Sequence, residues 1–475
     1  MLTFVRNNTL VQLLKKTLIL LLACTLCISC DDSEKRTTTW IGGEIVNPTS
    51  PYVLLSRDNE VIDSITLDEN NFFMYELKNA KEGLYSFTHS EYQTFYLRPG
   101  DSLMLRVNTL DFDESLSYSG DGGEENNLLI EFFLMTEEEN WVMQELNMLK
   151  PTEFEKRLDS LSARRTRLYN DLVEQENPED TYKNIAQSYI KYDKLLRKEL
   201  YASANASSEN KIAPTDSFFD FRKEIDYGNE MIGTFYPYYR FLNAHFDNLA
   251  YEAYDGTGYV NRETYKHNMH KMKLVDSLVT NEDIRNSLLR RSVRQYLING
   301  TDADKEQEMM DLFLSLSTNP EHKEEIRNLA MATISLVPGN KIPNLLLLTA
   351  ENTVKDLHSL ITKPTVIFFW TFESIRQYKD IHSRAAELRD KYPEYNFIGI
   401  NTDTHFKKWR NVLKTSGYNP NKEYQFESIQ DAEKKLVLTS LTKAFVLNED
   451  GEILESNANL TSPEIERFLL GNLNK

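Results

Sequence analysis

Cysteine is almost absent from this sequence. The 475 residues include three cysteines, Cys24, Cys27 and Cys30, and all three lie near the amino terminus. Because no thiol follows residue 30, the rest of the chain cannot form an internal disulfide, bind zinc through cysteine, hold an iron–sulfur cluster or use a cysteine nucleophile. The part of the chain after residue 30 therefore has no thiol chemistry.

Basic residues are also scarce. Lysine and arginine total 54 against 73 aspartate and glutamate residues, which gives a formal net charge of −19. A chain this acidic is repelled by phosphate backbones, so we predict no nucleic-acid partner. Hydrophobic residues still make up 40% of the chain, which is enough to build cores and excludes a disordered or collagen-like protein. The length corresponds to roughly two to four domains.

Long apolar runs are lacking as well. The main run, Thr17–Leu26, follows Arg6, Lys15 and Lys16 and is too short to span a bilayer comfortably. It leads directly into Cys27-Ile28-Ser29-Cys30. This segment resembles a bacterial lipobox, in which a small residue precedes a cysteine that becomes acylated. Cys27 departs from the pattern, because an aliphatic residue is usual at that position.

The lipobox resemblance implies that residues 1–29 are a lipoprotein signal peptide and residues 30–39 an acylated tether, with Cys30 as the site of lipid attachment. Buried methylene groups contribute about 0.8 kcal/mol each, so acyl chains can hold a protein at a membrane without a spanning helix. We predict a lipid-anchored protein of the bacterial cell envelope, at the outer membrane on its periplasmic or cell-surface face. Cleavage would remove three basic and no acidic residues and take the net charge to −22. A lipobox ending at Cys24, an ordinary secretory signal and an uncleaved anchor are the alternatives.

Residues 40–123 show the period-two alternation of β-strands. Leu103, Leu105 and Val107 alternate with more polar residues, and turn sequences separate the runs. We predict a small antiparallel β-sandwich. Pro99-Gly100 predicts a type II turn that joins the flanking strands as a hairpin.

Residues 124–335 change to the period of helices, and we predict an all-α region. Thr152 and Glu155 follow Pro151 with the spacing of a capping box at a helix start. Thirteen aromatic residues fall between positions 218 and 259. They could line a carbohydrate or peptide groove, but aromatic residues at mixed helical spacing more often form the core between packed helices.

Residues 336–475 have the pattern of an α/β domain. Thr365–Trp370 and Asn396–Asn401 are continuous apolar runs that suit strands buried on both faces, and Ile381, Ala385 and Leu388 mark a helix between them. The runs predict one βαβ unit. A closing hairpin follows around the turn at residues 448–451, and then a last helix.

Three segments of this region carry a family resemblance. They are Gly339–Asn344, Val366–Trp370 and Phe445–Ile453, in this order. Together they resemble a thioredoxin-like domain of the TlpA/ResA type, with Asn448 in place of an aspartate. The resemblance covers somewhat under a third of the chain. A signal peptide, a small β-domain, a helical insert and a thioredoxin-like domain in succession also resemble a common arrangement in lipoproteins of Bacteroidota.

The resemblance implies a redox site that this sequence has lost. The family places Trp-Cys-x-x-Cys at the start of a helix, and the two cysteine positions correspond to Ser374 and Gln377. The family's cis-proline corresponds to Thr442, where we predict a trans peptide bond because a non-proline cis bond costs about 3–4 kcal/mol. Ser374 is expected to cap the helix rather than act as a nucleophile. We therefore predict a degenerate, redox-inactive site, with no catalytic residue, no cofactor and no metal.

Two other motifs have the spelling or spacing of a functional site, but their surroundings favour a structural role. Gly100–Leu103 spells the GDSL string of a hydrolase family, but it lies in a β-hairpin pattern rather than after an α/β strand. His267 and His270 have metal-ligand spacing on a helix, and Glu263 could join them. Because Lys266, Lys271 and Lys273 occupy the same stretch, we expect exposed histidines on a basic helix instead.

The sequence therefore predicts a multidomain protein whose function is binding or scaffolding. Its ligand would be a peptide, a glycan or a protein, and its contact with the membrane would be the lipid anchor. The alternative is a TlpA/ResA-like thiol-disulfide oxidoreductase relative with residual or unrecognised activity. A purely structural envelope component is a third hypothesis.

Overall fold

The structure of the protein is a computed structural model that describes residues 38–58, 60–206, 214–254, 260–300 and 302–473. The predicted signal peptide, the lipid attachment site at Cys30 and the tether up to residue 37 lie outside the described residues. No helix within these ranges has the length and apolar character needed to cross a membrane.

The described residues form two compact units. The first contains the residues up to Lys194 together with Thr234–Tyr238, and the second contains the remaining residues from Leu195 onward. The first unit begins with two four-stranded β-sheets. One has the strand order β4-β1-β7-β8 and the other the order β3-β2-β5-β6. These strands are β1 (Thr39–Val46), β2 (Tyr52–Arg57), β3 (Glu60–Thr66), β4 (Phe72–Leu77), β5 (Gly83–His89), β6 (Glu91–Leu97), β7 (Ser102–Asn108) and β8 (Ser117–Gly120).

The two sheets share one hydrophobic core. Ile41 and Leu105 come from the first sheet, Leu55 and Phe87 from the second, and all four are buried in the same cluster. This matches the predicted sandwich, but the sheets are not purely antiparallel. Strands β1 and β7 pair in parallel, with Ile41 opposite Leu103.

The predicted hairpin around Pro99-Gly100 is wrong, although the turn is present. Gly100 has φ +92°, and the Asp101 amide donates to the Arg98 carbonyl at 3.2 Å, as a tight turn requires. The strands on either side belong to different sheets, because β7 pairs with β1 and not with β6. The Gly100 amide donates to Thr39 Oγ1 at 2.8 Å, which links the turn to the start of β1. A local turn sequence does not determine which strand β7 pairs with.

Helices follow up to residue 335. They are α1 (Phe112–Ser115), α2 (Gly123–Asn140), α3 (Met143–Leu146), α4 (Pro151–Glu176), α5 (Asp180–Asn205), α6 (Tyr236–Ala253), α7 (Tyr265–Leu278), α8 (Glu282–Ile298), α9 (Ala303–Leu316) and α10 (Pro320–Ser335), with 3₁₀ turns at Asp216–Glu224 and Glu230–Ile232. The capping box at Thr152 is wrong. Helix α4 starts with Pro151, and Lys150 is its N-cap without a side-chain hydrogen bond. Proline suits the first helical position, so the helix begins two residues too early for Thr152 to be its N-cap.

The aromatic stretch contributes mainly to the cores of the two units. Phe218, Phe235, Tyr238, Phe241 and Phe246 are each at most 4% exposed. These positions agree with the expectation of core packing rather than with a groove. Tyr236 is a partial exception because it is 45% exposed.

The carboxyl-terminal region contains a seven-stranded sheet with the order β10-β9-β13-β12-β11-β14-β15. The elements are β9 (Leu346–Leu348), β10 (Val354–Asp356), α11 (Leu357–Leu360), β11 (Thr365–Trp370), α12 (Ile375–Lys391), β12 (Asn396–Asn401), α13 (Phe406–Ser416), a 3₁₀ turn (Pro420–Lys422), β13 (Glu423–Phe426), α14 (Ile429–Leu436), β14 (Lys443–Leu447), β15 (Ile453–Asn459) and α15 (Glu464–Leu473).

The two apolar runs form the central strands with the predicted bounds. Strands β11, β12 and β13 are parallel, and β14 pairs with β11 in the antiparallel sense. Side chains of β11 alternate between two cores: Ile367 and Phe369 belong to one, and Val366, Phe368 and Trp370 to the other. Burial on both faces therefore explains the continuous apolar sequence.

Candidate functional site

The site predicted from the sequence lies at the end of the seven-stranded sheet where β11 has its carboxyl end. Strand β11 ends there at Trp370, and α12 begins five residues later. The antiparallel register pairs Phe368 with Ala444. Thr442 precedes Ala444 by two residues and therefore lies at the same end of the sheet as the β11–α12 loop. The fold thus brings the Ser374–Gln377 segment and Thr442 to one end of the sheet.

Ser374 is the N-cap of α12. It has extended backbone angles, and its hydroxyl accepts a hydrogen bond from the Gln377 amide at 3.3 Å. An N-cap serine satisfies one of the amide groups that the first helical turn leaves without a partner. The position is exposed, and its geometry agrees with the expected capping role.

Gln377 ties the loop to the strand. Its side-chain oxygen accepts from the Thr371 amide at 3.2 Å, and its side-chain nitrogen donates to the Phe369 carbonyl at 3.2 Å. These two bonds hold the chain where it leaves β11. The Gln377 side chain therefore has a local structural role, while the Gln377 backbone amide bonds to the Ser374 hydroxyl.

The peptide bond that precedes Thr442 is trans. No cis peptide bond occurs in the ranges that the structure describes, so the predicted trans bond before Thr442 is confirmed. The Thr442 amide donates to the Ser440 hydroxyl at 3.1 Å. This short side-chain turn gives the Thr442 amide a local partner.

Lys443, directly after Thr442, was missed by sequence reasoning. Its ammonium donates to the carbonyls of Leu436 and Val437 at 2.9 and 3.1 Å, so it caps the end of α14. Burial lowers the pKa of Lys443 to about 8, and Glu455 opposes this shift only in part. The buried cation stabilises the helix end, and both of these hydrogen bonds go to backbone carbonyls.

A second missed group is the carboxylate of Asp403. It accepts from the Thr371 hydroxyl and from the Phe372 amide, each at 2.7 Å, and from the Asn401 side chain at 2.8 Å. Gln425 Nε2 completes the network by donating to Asn401 Oδ1 at 3.0 Å. The network holds the loop that precedes Ser374 against the carboxyl ends of β12 and β13. It contains no thiol.

A buried acid lies beneath the same loop. Glu423 Oε2 accepts from the Trp370 indole at 2.9 Å, and its other oxygen lies 3.3 Å from His382 Nε2 without hydrogen-bond alignment. Gly399 makes this arrangement possible, because a Cβ there would lie 2.2 Å from Glu423 Oε2. No sequence signal indicated this carboxylate, since the short strand β13 that carries it was not predicted.

The histidine pair on α7 does not match the expectation of exposed side chains. His267 is fully buried, and its Nε2 lies 3.1 Å from Asp247 Oδ1, while His270 is only half-buried. Lys271, expected at the surface, is also buried and donates to Asp247 Oδ1 at 2.6 Å. Because Asp247 comes from α6, the sequence around the histidines could not indicate it. Among the described residues, no group of three or more His, Cys, Asp or Glu could hold a metal ion.

A second buried acid–histidine cluster joins α5 to α6. Glu199 accepts from Arg222 through both carboxylate oxygens at 2.9 and 2.6 Å, and its Oε1 lies 2.7 Å from His245 Nδ1. Burial alone would raise the pKa of Glu199, but His245 and Arg222 bring it below the usual range. The cluster is a satisfied ionic network within the helical part of the second unit.

The GDSL string is structural. Asp101 accepts from the Arg98 amide at 2.9 Å and is buried, and the Ser102 amide donates to Asp121 at 3.0 Å. These contacts fix the crossing between the two sheets.

Comparison with known proteins agrees with the topology of the carboxyl-terminal sheet. The profile of a thioredoxin-like family matches residues 362–453. This segment is a thioredoxin-like domain. Among curated proteins, none matches the chain.

Three similar solved structures come from Bacteroides. A thioredoxin-like protein from Bacteroides caccae is 14% identical, with a TM-score of 0.35, over 58% of this chain and 92% of that chain. The thioredoxin domain of a thiol-disulfide oxidoreductase from Bacteroides vulgatus is 14% identical, with a TM-score of 0.24, over 28% of this chain and 99% of that chain. A thiol:disulfide interchange protein from a Bacteroides species is 16% identical, with a TM-score of 0.25, over 29% of this chain and 93% of that chain.

Proposed function

We propose that this protein is a lipid-anchored envelope protein whose thioredoxin-like domain binds a ligand and performs no thiol–disulfide exchange. The observation that carries the proposal is the absence of cysteine after Cys30. Exchange needs an attacking thiolate and a second thiol that resolves the mixed disulfide. A mature protein anchored at Cys30 would have a thioether there and no thiol elsewhere.

The contacts at the loop support this proposal. The Ser374 hydroxyl caps α12, and both polar atoms of the Gln377 amide group bond to backbone. His382, eight residues after Ser374, packs against Trp370 and Tyr418. Its Nδ1 lies 2.6 Å from the Tyr378 carbonyl and its Nε2 lies 3.3 Å from Glu423 Oε1, so both ring nitrogens face groups other than the Ser374 hydroxyl.

The test is a disulfide-reductase assay on the full mature chain carrying Cys30→Ala, which has no thiol. We expect no reduction of an insulin-type disulfide above background. Turnover by this variant would instead establish the oxidoreductase alternative with an unrecognised site, and would overturn the proposal.

A variant with two introduced cysteines provides the positive control. Ser374→Cys with Gln377→Cys places two thiols at i and i+3 of a helix start, a spacing at which a disulfide can form. Thiol titration before and after reduction should show one intramolecular disulfide, and Ser374→Cys alone is the matched control. Addition of Thr442→Pro tests whether the facing backbone contributes. Turnover should remain low because Glu373 places a negative charge beside the first thiol. Two thiols that stay free under mild oxidation would mean that these positions do not correspond to the lost site.

A further inference from the structure

Helix α13 concentrates positive charge in a chain whose net charge is −19. Its residues Lys407, Lys408, Arg410 and Lys414 are all exposed, and α13 has no acidic residue. Within the described ranges, none of the four lies in an ion pair with a carboxylate. Trp409 and Leu413 are buried and fix the helix to the domain. The four charges are therefore held at the surface without an internal counter-charge.

Two of these cations border a cavity of about 520 Å³, which we call the α13 pocket. Its lining includes Glu351, Arg410, Leu413, Lys414 and Tyr418. Residues four apart lie on the same side of a helix, so Arg410 and Lys414 are neighbours on one wall. Cavities of this size hold small molecules or single units of a polymer. The pocket therefore offers two adjacent cations to an anionic group.

Tyr418 gives the α13 pocket a rigid aromatic wall. Its ring stacks on His382 with 3.8 Å between ring centres and 3° between planes, and the edges of Trp370 and Tyr378 also contact it. His382 is buried, so one face of the tyrosine ring is covered. Tyr418 also lines the α13 pocket, so the part of its side chain that these rings leave uncovered is accessible to a ligand there. A fixed and partly uncovered ring suits a flat or apolar ring surface.

Glu351 makes the pocket unsuitable for a simple anion. Its side chain is exposed and lines the same cavity as Arg410 and Lys414. A carboxylate repels other anions but accepts strong hydrogen bonds from hydroxyl groups. The complementary ligand therefore carries a carboxylate, a ring surface and hydroxyl donors.

We infer that the α13 pocket binds a carboxylate-bearing sugar, such as a uronic acid unit of an acidic glycan. The sugar carboxylate pairs with Arg410 and Lys414, the ring packs on Tyr418, and hydroxyl groups donate to Glu351. This inference rests on the proposed binding function and names the chemical class of its ligand.

The test measures binding of a galacturonate trimer to the full mature chain carrying Cys30→Ala, by calorimetry at low and physiological salt. Arg410→Gln and Lys414→Gln should each weaken binding by roughly tenfold, the loss of one charged hydrogen bond. Lys434→Gln is the matched control, because Lys434 is exposed on α14 outside the pocket. It should leave the affinity unchanged.

Two more variants separate sugar recognition from charge attraction. Tyr418→Phe keeps the ring and should preserve binding, whereas Tyr418→Leu should weaken it, with circular dichroism confirming the fold of both. Glu351→Ala removes a negative charge, so attraction of a bare anion would increase. Sugar recognition predicts that Glu351→Ala binds the galacturonate trimer more weakly, because the acceptor for the sugar hydroxyl groups is lost.

Two further ligands decide the class. A neutral galactose trimer should bind far more weakly than the galacturonate trimer, and equal binding would overturn the role of the two cations. Tighter binding of a glutamate-rich hexapeptide would identify an acidic polypeptide as the ligand and overturn the sugar. Absence of galacturonate binding would also overturn the inference. It would leave the reductase test, on which the proposed function depends, unaffected.

Discussion

At the scale of single residues, the buried ion pairs of the helical region are the most consequential feature. Asp247 is buried against Lys271 and His267, and Arg262 lies 3.3 Å from its second oxygen. Burial alone would raise the pKa of Asp247, but the Lys271 ammonium, the His267 hydrogen bond and the Arg262 charge lower it from 3.8 to about 2. A carboxylate with a lowered pKa stabilises the fold above its unfolded pKa, and this stability disappears as the pH falls through the folded value.

Asp247→Asn should therefore lower the free energy of unfolding by about 3 kcal/mol at neutral pH, since it leaves the buried Lys271 without its counter-charge. The difference from the wild type should be complete above about pH 4 and shrink as the pH falls toward 2. Denaturant titrations of both proteins at several pH values measure this difference in the free energy of unfolding.

Asp276→Asn is the control for Asp247→Asn, because Asp276 is an exposed aspartate on α7. It should change stability by no more than about 0.5 kcal/mol. Equal stability of Asp247→Asn and the wild type at pH 7 would mean that the network contributes nothing to folding.

At the scale of elements, the start of α12 depends on Ser374. Ser374→Ala removes the acceptor for the Gln377 amide and should cost about 1 kcal/mol, whereas Ser374→Asp keeps an acceptor and should cost little. Hydrogen exchange at the Gln377 amide is the direct measurement. It should accelerate in Ser374→Ala and stay slow in Ser374→Asp. Exchange that is equally slow in both variants would contradict a capping role.

At the scale of the whole molecule, attachment to the membrane is the expectation with the largest consequence. We predict that Cys30→Ala leaves an uncleaved or soluble form that takes up no lipid label, because Cys30 is the expected acyl acceptor. Cys27→Ala keeps the Ser29-Cys30 pair and should be processed normally. Unchanged lipid labelling of Cys30→Ala, together with its loss in Cys24→Ala, would move the attachment site to Cys24.

Much of the thioredoxin-like domain could be predicted from the sequence because its signals are local. The apolar runs at Thr365–Trp370 and Asn396–Asn401 follow from burial on both faces, and both strands have the expected bounds. The lack of thiols after Cys30 is likewise a property of composition. Ser374 could be predicted as a cap because capping depends on the residue and its immediate neighbours.

Only the tertiary structure decided which distant residues meet. The chain crosses between sheets at Pro99-Gly100 because β7 finds its partner in β1, some sixty residues earlier. Glu423 reaches Trp370 because β13 pairs with β12 where Gly399 leaves room. His267 was expected at the surface, but it is buried and its Nε2 lies 3.1 Å from Asp247 Oδ1. Periodicity and turn chemistry act over a few residues, whereas partner choice depends on long-range packing, and so no local pattern contained these contacts.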